Sequence, residues 1–212
     1  MTQKIDTKAR RRGAGRPVNV VASSRRKGQI MGAARECFAE KGFHAAGVAD
    51  IATAAGVSVA NLYQYFASKD DLILAMAEKD LEEDLDLIRQ LGEQADFIAS
   101  LTSTLAGILA EKAMADDYRL RVEIFAEATR NPRVRKALIE MEGALADELA
   151  ACLRTAQESG MVRNDVAADG LAAVIMRLVD GIYSGAGAGL VDGATLLPAV
   201  CALIEGGLRR HI

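Results

Sequence analysis

Apolar residues recur every three or four positions along most of this chain, the spacing that places side chains on one face of an α-helix. No stretch of alternating apolar and polar residues competes with this pattern. It therefore predicts an all-α protein. Gly42 ends the first predicted helix. The shared face of that helix carries Ile30, Ala34, Cys37, Phe38 and Lys41.

Two short helices are predicted next, one on each side of a glycine turn at Gly56. The apolar positions of the second helix are Val48, Ile51, Ala52 and Ala55. Ser58 is the predicted N-cap of the third helix. Its predicted inward face consists of Val59, Leu62, Tyr63 and Phe66. Two short helices across a glycine-containing turn predict a helix-turn-helix.

The fourth predicted helix opens at Ser68, with Asp71 at the capping-box position, and runs to about Gly92. Its apolar stripe includes Leu74, Leu81, Leu85 and Ile88. Because its start lies beside the third helix and its later residues should pack on the C-terminal core, we expect it to couple the two halves. Five more helices are predicted at about 95–114, 117–130, 132–159, 166–187 and 195–210.

The outward face of the third helix is small or polar and carries no charge. It consists of Ala60, Asn61, Gln64 and Tyr65. Carboxylates would repel the phosphates of DNA, whereas Asn and Gln side chains can pair with base edges in the major groove. An ordinary solvated face is the alternative interpretation of this pattern.

Two stretches of sequence resemble the TetR family of transcriptional regulators. The longer is IATAAGVSVANLYQYFASKDDL, from Ile51 to Leu72, and the shorter, FAEKGF, begins at Phe38. The similarity is close over roughly residues 28–75. Beyond it, only the helical layout and the phrases EIFAE at Glu123 and NPRVR at Asn131 are similar to the family. The resemblance implies a repressor whose operator binding is modulated by a small-molecule effector.

The resemblance also implies roles for single residues. Major-groove contacts are implied for Val59, Ala60, Asn61, Gln64 and Tyr65, and phosphate contacts for Tyr63 and Lys69. Two positions depart from the family pattern. Gly47 stands where Ser or Thr commonly caps the second helix, so we expect a weaker cap there. Ala60 and Asn61 stand where Gly and Thr are frequent, which bears on sequence preference.

The N-terminus is basic in a chain whose net charge is −3. Residues 1–27 hold nine of the 26 Lys and Arg but one of the 29 Asp and Glu. Four arginines in a Gly-containing segment suggest an arm that contacts phosphates or the minor groove, which attracts guanidinium groups. They are Arg10, Arg11, Arg12 and Arg16. A solvated tail is the alternative.

The C-terminal part is acidic, with 14 Lys and Arg against 23 Asp and Glu over residues 76–212. The resemblance implies an effector pocket there. Candidate lining residues are Phe97, Leu101, Met114, Arg121, Phe125, Met176, Arg177 and Tyr183. A plain core position is the alternative for each apolar residue. The two arginines differ, because an inward guanidinium needs a carboxylate or an anionic ligand as its partner.

Three glycines repeat every four residues on the eighth predicted helix: Gly181, Gly185 and Gly189. Glycine costs about 1 kcal/mol at an interior helical position. Three on one face therefore suggest a close approach of two helices, and the resemblance implies a homodimer through the last two helices. Fraying of the helix near residue 187 is the alternative.

These observations divide the chain into a basic arm at residues 1–24, a helix-turn-helix domain at 25–72 and an effector-binding and dimerisation domain at 73–212. A palindromic double-stranded DNA operator is the expected partner. An enzyme is not expected, because neither His44 nor His211 has a catalytic or metal-ligand spacing. No cofactor, metal or membrane contact is expected, and the expected compartment is the cytoplasm. A nonspecific architectural DNA protein is the remaining rival, disfavoured by the acidic C-terminal part.

Overall fold

The computed structural model describes residues 20–110 and 115–209, and this part of the chain is helical with no strands. Its helices, in chain order, are α1 (Val20–Lys41), α2 (Val48–Ala54), α3 (Val59–Tyr65), α4 (Lys69–Gly92), α5 (Phe97–Ala110), α6 (Ala115–Ala128), α7 (Pro132–Glu158), α8 (Ala168–Gly187) and α9 (Gly193–Leu208). The all-α prediction is confirmed. Helix α1 includes residues 20–24, which the sequence assigned to the N-terminal arm.

The first three helices and the start of α4 surround one hydrophobic core. Ile30 and Phe38 of α1, Ile51 of α2 and Leu62 of α3 are at most 2 % exposed. The turn between α2 and α3 passes through Gly56, whose φ of +61° is a left-handed conformation that costs glycine little. The predicted helix-turn-helix is therefore present.

Caps define where the short helices begin. The Ser58 hydroxyl accepts a hydrogen bond from the Asn61 amide at 3.1 Å, and Ser68 accepts one from the Asp71 amide at the same distance. Gly47 offers α2 no side-chain cap, as predicted, but its own amide donates to Asp50 Oδ2 at 3.0 Å. That bond lowers the pKa of the Asp50 carboxyl. The N-terminus of α2 is thus secured by its third residue.

Helix α4 belongs to both halves of the molecule. Leu72, Ile73 and Met76 at its start lie in the first core, whereas Leu91 near its end lies in a second core. Its C-terminal end packs very closely on α7, because a Cβ on Gly92 would stand 2.6 Å from Cys152 Sγ. The prediction that α4 is shared by the two halves is confirmed.

The second core is built by the end of α4 together with α5, α7, α8 and α9. Phe97, Leu153 and Ala172 are among its least exposed members. Helix α6 and the start of α7 instead complete the first core through Leu120, Ile124 and other apolar residues. The DNA-binding unit is therefore packed on a helix of the C-terminal domain as well as joined to it by α4.

Candidate DNA-binding surface and effector cavity

Helix α3 presents a small and polar surface to solvent. Ala60 and Gln64 are exposed and Asn61 is half-buried. Asn61 Nδ2 donates a hydrogen bond to Gln64 Oε1 at 3.0 Å, so the two amides lie side by side one helical turn apart. Within α3 there is no charged side chain. An amide pair in this arrangement can donate and accept hydrogen bonds at base edges.

The inward face of α3 is narrower than its apolar spacing predicts. Leu62 and Phe66 are buried, but Val59 is 39 % and Tyr63 is 50 % exposed, so the prediction that these two point inward is wrong. Helix α3 has two turns and meets the core along one strip, which leaves its flanking positions in solvent. Tyr65, predicted to face DNA, is half-buried and packs partly against the first core.

The Lys69 ammonium group is bound by the protein itself. Lys69 Nζ donates to the carbonyls of Phe43 at 2.7 Å, Ala46 at 3.1 Å and His44 at 3.4 Å, and it stands 4.7 Å from the centre of the Phe43 ring. An ammonium group has three hydrogens to donate. Lys69 therefore ties α4 to the loop between α1 and α2, a role that its position in the sequence motif does not indicate.

The arm arginines Arg10, Arg11, Arg12 and Arg16 lie outside the described residues. Helix α1 continues the basic sequence with Arg25, Arg26 and Lys27. Arg25 and Lys27 are exposed, whereas Arg26 donates to Gln29 Oε1, and Gln29 in turn donates to the carbonyl of Ala55 at the end of α2. Part of this basic sequence thus also fastens α1 to α2.

A set of polar contacts joins the DNA-binding unit to α6. Glu123 Oε2 accepts a hydrogen bond from the Phe43 amide at 2.8 Å, and Glu127 Oε2 lies 3.2 Å from His44 Nε2. His44 has no catalytic or metal-binding spacing in the sequence, and no contact was predicted for it. Glu123 and Glu127 begin and end the EIFAE phrase, which is similar to the family but had no predicted role.

The corner between α6 and α7 makes a second set of contacts, with the first turn of α4. Asn131 Nδ2 donates to Asp70 Oδ2 at 2.7 Å, and Arg133 forms an ion pair with Asp71. Hydrogen bonds from Arg133 and then from Ser68 hold the pKa of the Asp71 carboxyl below its usual range. The NPRVR segment therefore holds the first turn of α4, where the DNA-binding unit ends.

A cavity of 490 Å³ lies among α4, α5, α6, α7 and α8. Its volume falls in the range of pockets that hold small organic ligands. Most of its wall is aliphatic, from Leu81, Leu105, Leu145 and similar side chains. A minority of the wall is charged.

The candidate effector residues divide between this cavity and the core. Leu101, Arg121, Phe125 and Met176 line the cavity. Phe97 is 1 % exposed and packs in the second core, and Arg177 is an exposed neighbour of the cavity wall. Met114 and the side chain of Tyr183 lie outside what the structure describes. The lining residues on α4 and α7 were not predicted, because the leucines of these helices have the same spacing as core positions.

The inward arginine finds carboxylates inside the protein. Arg121 Nη2 lies 2.6 Å from Asp180 Oδ1 and 3.1 Å from Glu142 Oε1. Arg177 forms ion pairs with the same two carboxylates, and its Nη2 atom lies 2.9 Å from Asp180 Oδ2. These ion pairs raise the pKa of Arg121 against the opposing effect of its burial. The four side chains join α6, α7 and α8 at one end of the cavity.

The predicted glycine ridge is not continuous. Helix α8 ends at Gly187, and Gly189 lies beyond it with a φ of +68°. A Cβ on Gly185 would stand 2.8 Å from Val191 Cγ2 of the same chain, so its close neighbour is the turn after α8. Gly181 is exposed with open space around it. The α8 and α9 surfaces do carry strongly exposed apolar side chains, Val174 and Leu203, each 68 % exposed.

Among residues 20–110 and 115–209, no group of His, Cys, Asp and Glu side chains has the arrangement of a metal site. None of the helices described is long and apolar enough to cross a membrane. The three cysteines are free thiols. Burial raises the pKa of the Cys37 and Cys152 thiols, so neither is an activated nucleophile.

Two family models match the chain. One, described as bacterial regulatory proteins, tetR family, matches residues 30–76. The other, described as BetI-type transcriptional repressor, C-terminal, matches residues 97–208. Together they cover the helix-turn-helix and the helical domain that surrounds the cavity.

Similar proteins agree with these models. The HTH-type transcriptional regulator UidR of Escherichia coli (strain K12) is 33% identical over 138 residues, 65% of this chain and 69% of UidR. The HTH-type transcriptional repressor AcnR of Corynebacterium glutamicum is 27% identical over 185 residues, 86% of this chain and 92% of AcnR. The solved structure of Salmonella enterica GusR is 30% identical, covers 87% of this chain and 95% of its own, and has a TM-score of 0.73. The chain therefore belongs to the tetR family and is a DNA-binding transcriptional regulator rather than an enzyme.

Proposed function

We propose that this protein is a cytoplasmic repressor that binds a palindromic operator as a homodimer and is controlled by a small molecule in the 490 Å³ cavity. One observation carries the proposal. Helix α6 lines the cavity with Arg121 and Phe125 and contacts the DNA-binding unit with Glu123 and Glu127. A ligand that moves α6 therefore moves the base of the helix-turn-helix.

DNA contact is assigned to α3 and its surroundings. Asn61 and Gln64, with Val59 and Ala60, are the proposed major-groove residues, because they are the accessible side chains of an uncharged helix. The exposed Tyr63 is a proposed phosphate contact. Tyr65 and Lys69 take supporting roles, since their side chains are engaged with the protein.

A homodimer through α8 and α9 is supported by their exposed surfaces. Along α9, Leu196, Ala199, Leu203 and Gly206 recur at helical spacing, and all four are exposed. Val174 and Gly181 lie seven residues apart on an exposed strip of α8. An apolar strip of this kind is typical of a surface that another molecule covers. Twofold pairing would present two α3 helices to half-sites about one helical turn, some 34–36 Å, apart or a multiple of it.

Selection of binding sites from randomised double-stranded DNA tests the proposal. We expect an inverted repeat, and nuclease footprinting should show protection of that repeat and not of flanking DNA. Transcription from a promoter overlapping the repeat should fall when the protein is added. A single unpaired site, or uniform protection of any DNA, would contradict the proposal.

A further inference from the structure

Carboxylates outnumber cationic groups in the cavity wall. Lining side chains include five carboxylates but three cationic groups. The carboxylates are Asp80, Glu83, Asp84, Glu142 and Asp180, and the cations are Arg35, Lys79 and Arg121. The wall as a whole therefore carries more negative than positive side chains.

The ion pairs show which carboxylate of the cavity wall has no cationic partner. Arg35 lies 2.5 Å from Asp80, and Lys79 lies 2.7 Å from Glu83. Arg121 and Arg177 together serve Glu142 and Asp180. Within the described residues, Asp84 has neither an ion pair nor a hydrogen bond, although it lies in the cavity wall.

Asp180 supplies a second, independent sign that the acidic end is incomplete. This residue is 6 % exposed, and its Oδ2 atom accepts no hydrogen bond from the described part of the chain, although Arg177 stands 2.9 Å away. Buried carboxylate oxygens ordinarily accept hydrogen bonds. An N–H-bearing ligand group could donate the hydrogen bond that Asp180 Oδ2 lacks, while Arg121 and Arg177 already balance the charge of Glu142 and Asp180.

We propose that the cavity binds a hydrophobic ligand carrying one positive charge, an amine or quaternary ammonium group, with Asp84 as its counter-ion. The proposal rests on the assignment of the cavity as the effector site. Because most of the wall is aliphatic, the rest of the ligand is apolar. Arg121 does not select an anion, since two carboxylates already neutralise its charge.

The state of Asp84 before binding agrees with this role. Burial raises the pKa of its carboxyl to about 6, with Asp80, Glu83 and Glu142 adding to the rise and Arg121 opposing it. A bound cation would favour the ionised carboxylate, so cation binding releases a proton when the pH is below about 6.

Titration calorimetry of the full chain with three probes of equal tail length tests the inference. The probes are decyltrimethylammonium, decanol and decanoate, used below their micellar concentrations. We expect decyltrimethylammonium to bind about tenfold or more tightly than decanol, and decanoate to bind most weakly, because Asp84 attracts the cation and repels the anion. A tenfold difference in affinity corresponds to about 1.4 kcal/mol. Asp84→Asn should remove the cation's advantage and leave decanol binding unchanged. Glu82→Gln, an exposed carboxylate on the same helix, is the matched control and should bind like the native protein.

Lowering the pH from 7.5 to 5.5 should weaken the binding of decyltrimethylammonium to the native protein but not to Asp84→Asn. The other charged groups around Asp84 are Lys79, Asp80 and Glu83 on α4, Arg35 on α1, Arg121 on α6, Glu142 on α7 and Asp180 on α8, with Arg177 paired to the last two. Asp84→Asn should fold, because a carboxyl whose pKa is raised on folding makes the native state less stable as the pH rises from 3.8 through about 6. Thermal unfolding at pH 7.5 checks this.

Tighter binding of decanoate than of decyltrimethylammonium, no binding of any probe, or a cation preference that survives Asp84→Asn would overturn the inference. Operator binding separates it from the proposed function. Asp84-dependent cation binding that leaves operator affinity unchanged would sustain the inference while removing the cavity as the effector site. Release of the operator by decanoate or decanol alone would sustain the effector site and overturn the inference.

Discussion

Lys69 holds the α1–α2 loop through contacts that use its charge. Its ammonium group reaches three backbone carbonyls of that loop and the face of the Phe43 ring. Hydrogen bonds from a charged donor contribute about 1.5–3 kcal/mol each when well shielded, and a cation over an exposed ring about 0.5–1 kcal/mol. Because Lys69 is half-exposed, solvent reduces the sum.

We predict that Lys69→Ala lowers the free energy of unfolding by about 1–3 kcal/mol, measured by urea denaturation. The matched control is Lys136→Ala, whose side chain is 79% exposed on α7, and it should change stability by less than about 0.5 kcal/mol. DNA affinity of Lys69→Ala should be compared where both proteins are folded. An unchanged free energy of unfolding together with weakened binding to every DNA sequence would instead indicate that Lys69 contacts a DNA phosphate.

Asn61 and Gln64 form the polar part of the α3 surface. We predict that Asn61→Ala and Gln64→Ala each change the preferred base at one position of a half-site, with a loss of discrimination of about 1–3 kcal/mol if the contact is bidentate. Binding selections with each variant measure this. Gln90→Ala, an exposed glutamine on α4, should retain the native preference. Identical consensus sequences for Gln64→Ala and the native protein would remove Gln64 from the readout.

At the scale of elements, α6 has two faces with different tasks. Leu120, Arg121 and Phe125 line the cavity, whereas Glu123 accepts a hydrogen bond from the loop that follows α1 and Glu127 lies beside His44 of that loop. Helix α4, which we expected to couple the two halves, contributes residues to both cores. The DNA-binding unit is therefore connected to the C-terminal domain through α4 and through α6. A rigid helix with two stable positions can transmit a ligand's effect between such sites.

We predict that Glu123→Ala loosens the α1–α2 loop without disturbing the cavity. The Phe43 amide loses a charged acceptor, so its hydrogen exchange should speed up about tenfold or more, the equivalent of about 1.4 kcal/mol. Amides of α7 and α8 in the second core should exchange at the native rate. Hydrogen exchange with mass spectrometry resolves both regions.

Two further variants sharpen this test. Glu123→Gln keeps an oxygen that can accept from the Phe43 amide and should restore most of the protection. Glu140→Ala, an exposed glutamate on α7, should have no effect on the loop. Equal exchange at Phe43 in Glu123→Ala and the native protein would mean that α6 does not hold the loop, leaving α4 as the coupling element.

At the scale of the whole molecule, α8 and α9 both expose apolar side chains to solvent. Leu203 and Val174 are each 68 % exposed in the single chain. Leaving such side chains in water gives up about 25 cal/mol for each Å² that a partner would otherwise cover. Twofold pairing of α8 and α9 would recover this free energy and fix the distance between the two α3 helices.

We predict that Leu203→Glu converts the proposed dimer to a monomer, because an unpaired carboxylate at an apolar interface costs several kcal/mol. Size-exclusion chromatography with light scattering measures the mass. Ile139→Glu places the same charge on α7, at a residue that is 65% exposed, and should stay dimeric. Both variants should unfold at nearly the native temperature. A dimeric Leu203→Glu would move the interface away from α9.

The order and type of the helices could be predicted because each depends on short-range features. Apolar spacing, glycine stops and the Ser58 and Ser68 caps act within a few residues, so they can be identified without a structure. The family motif identified the DNA-binding unit for the same reason, since it lies in one continuous stretch. The uncharged surface of α3 also followed from helical spacing alone.

The roles of the longer side chains could not be predicted, because they depend on residues far away in the sequence. Lys69 reaches back to residues 43–46, and Glu123 contacts an amide 80 positions earlier. The depth of burial across a short helix also depends on what packs against it, which is why Val59 and Tyr63 are exposed despite apolar spacing.

The sequence by itself determined an all-α chain with a helix-turn-helix near its N-terminus, because helical periodicity and capping are local properties. Only the tertiary structure decided the chemistry of the cavity, because the lining residues come from several separate helices. The charge that a ligand would meet depends on which of these side chains form ion pairs with each other. Arg121 needed a partner in either case, and folding supplied Glu142 and Asp180. Asp84 was left without one, and no local pattern in the sequence distinguishes it from the other carboxylates of α4.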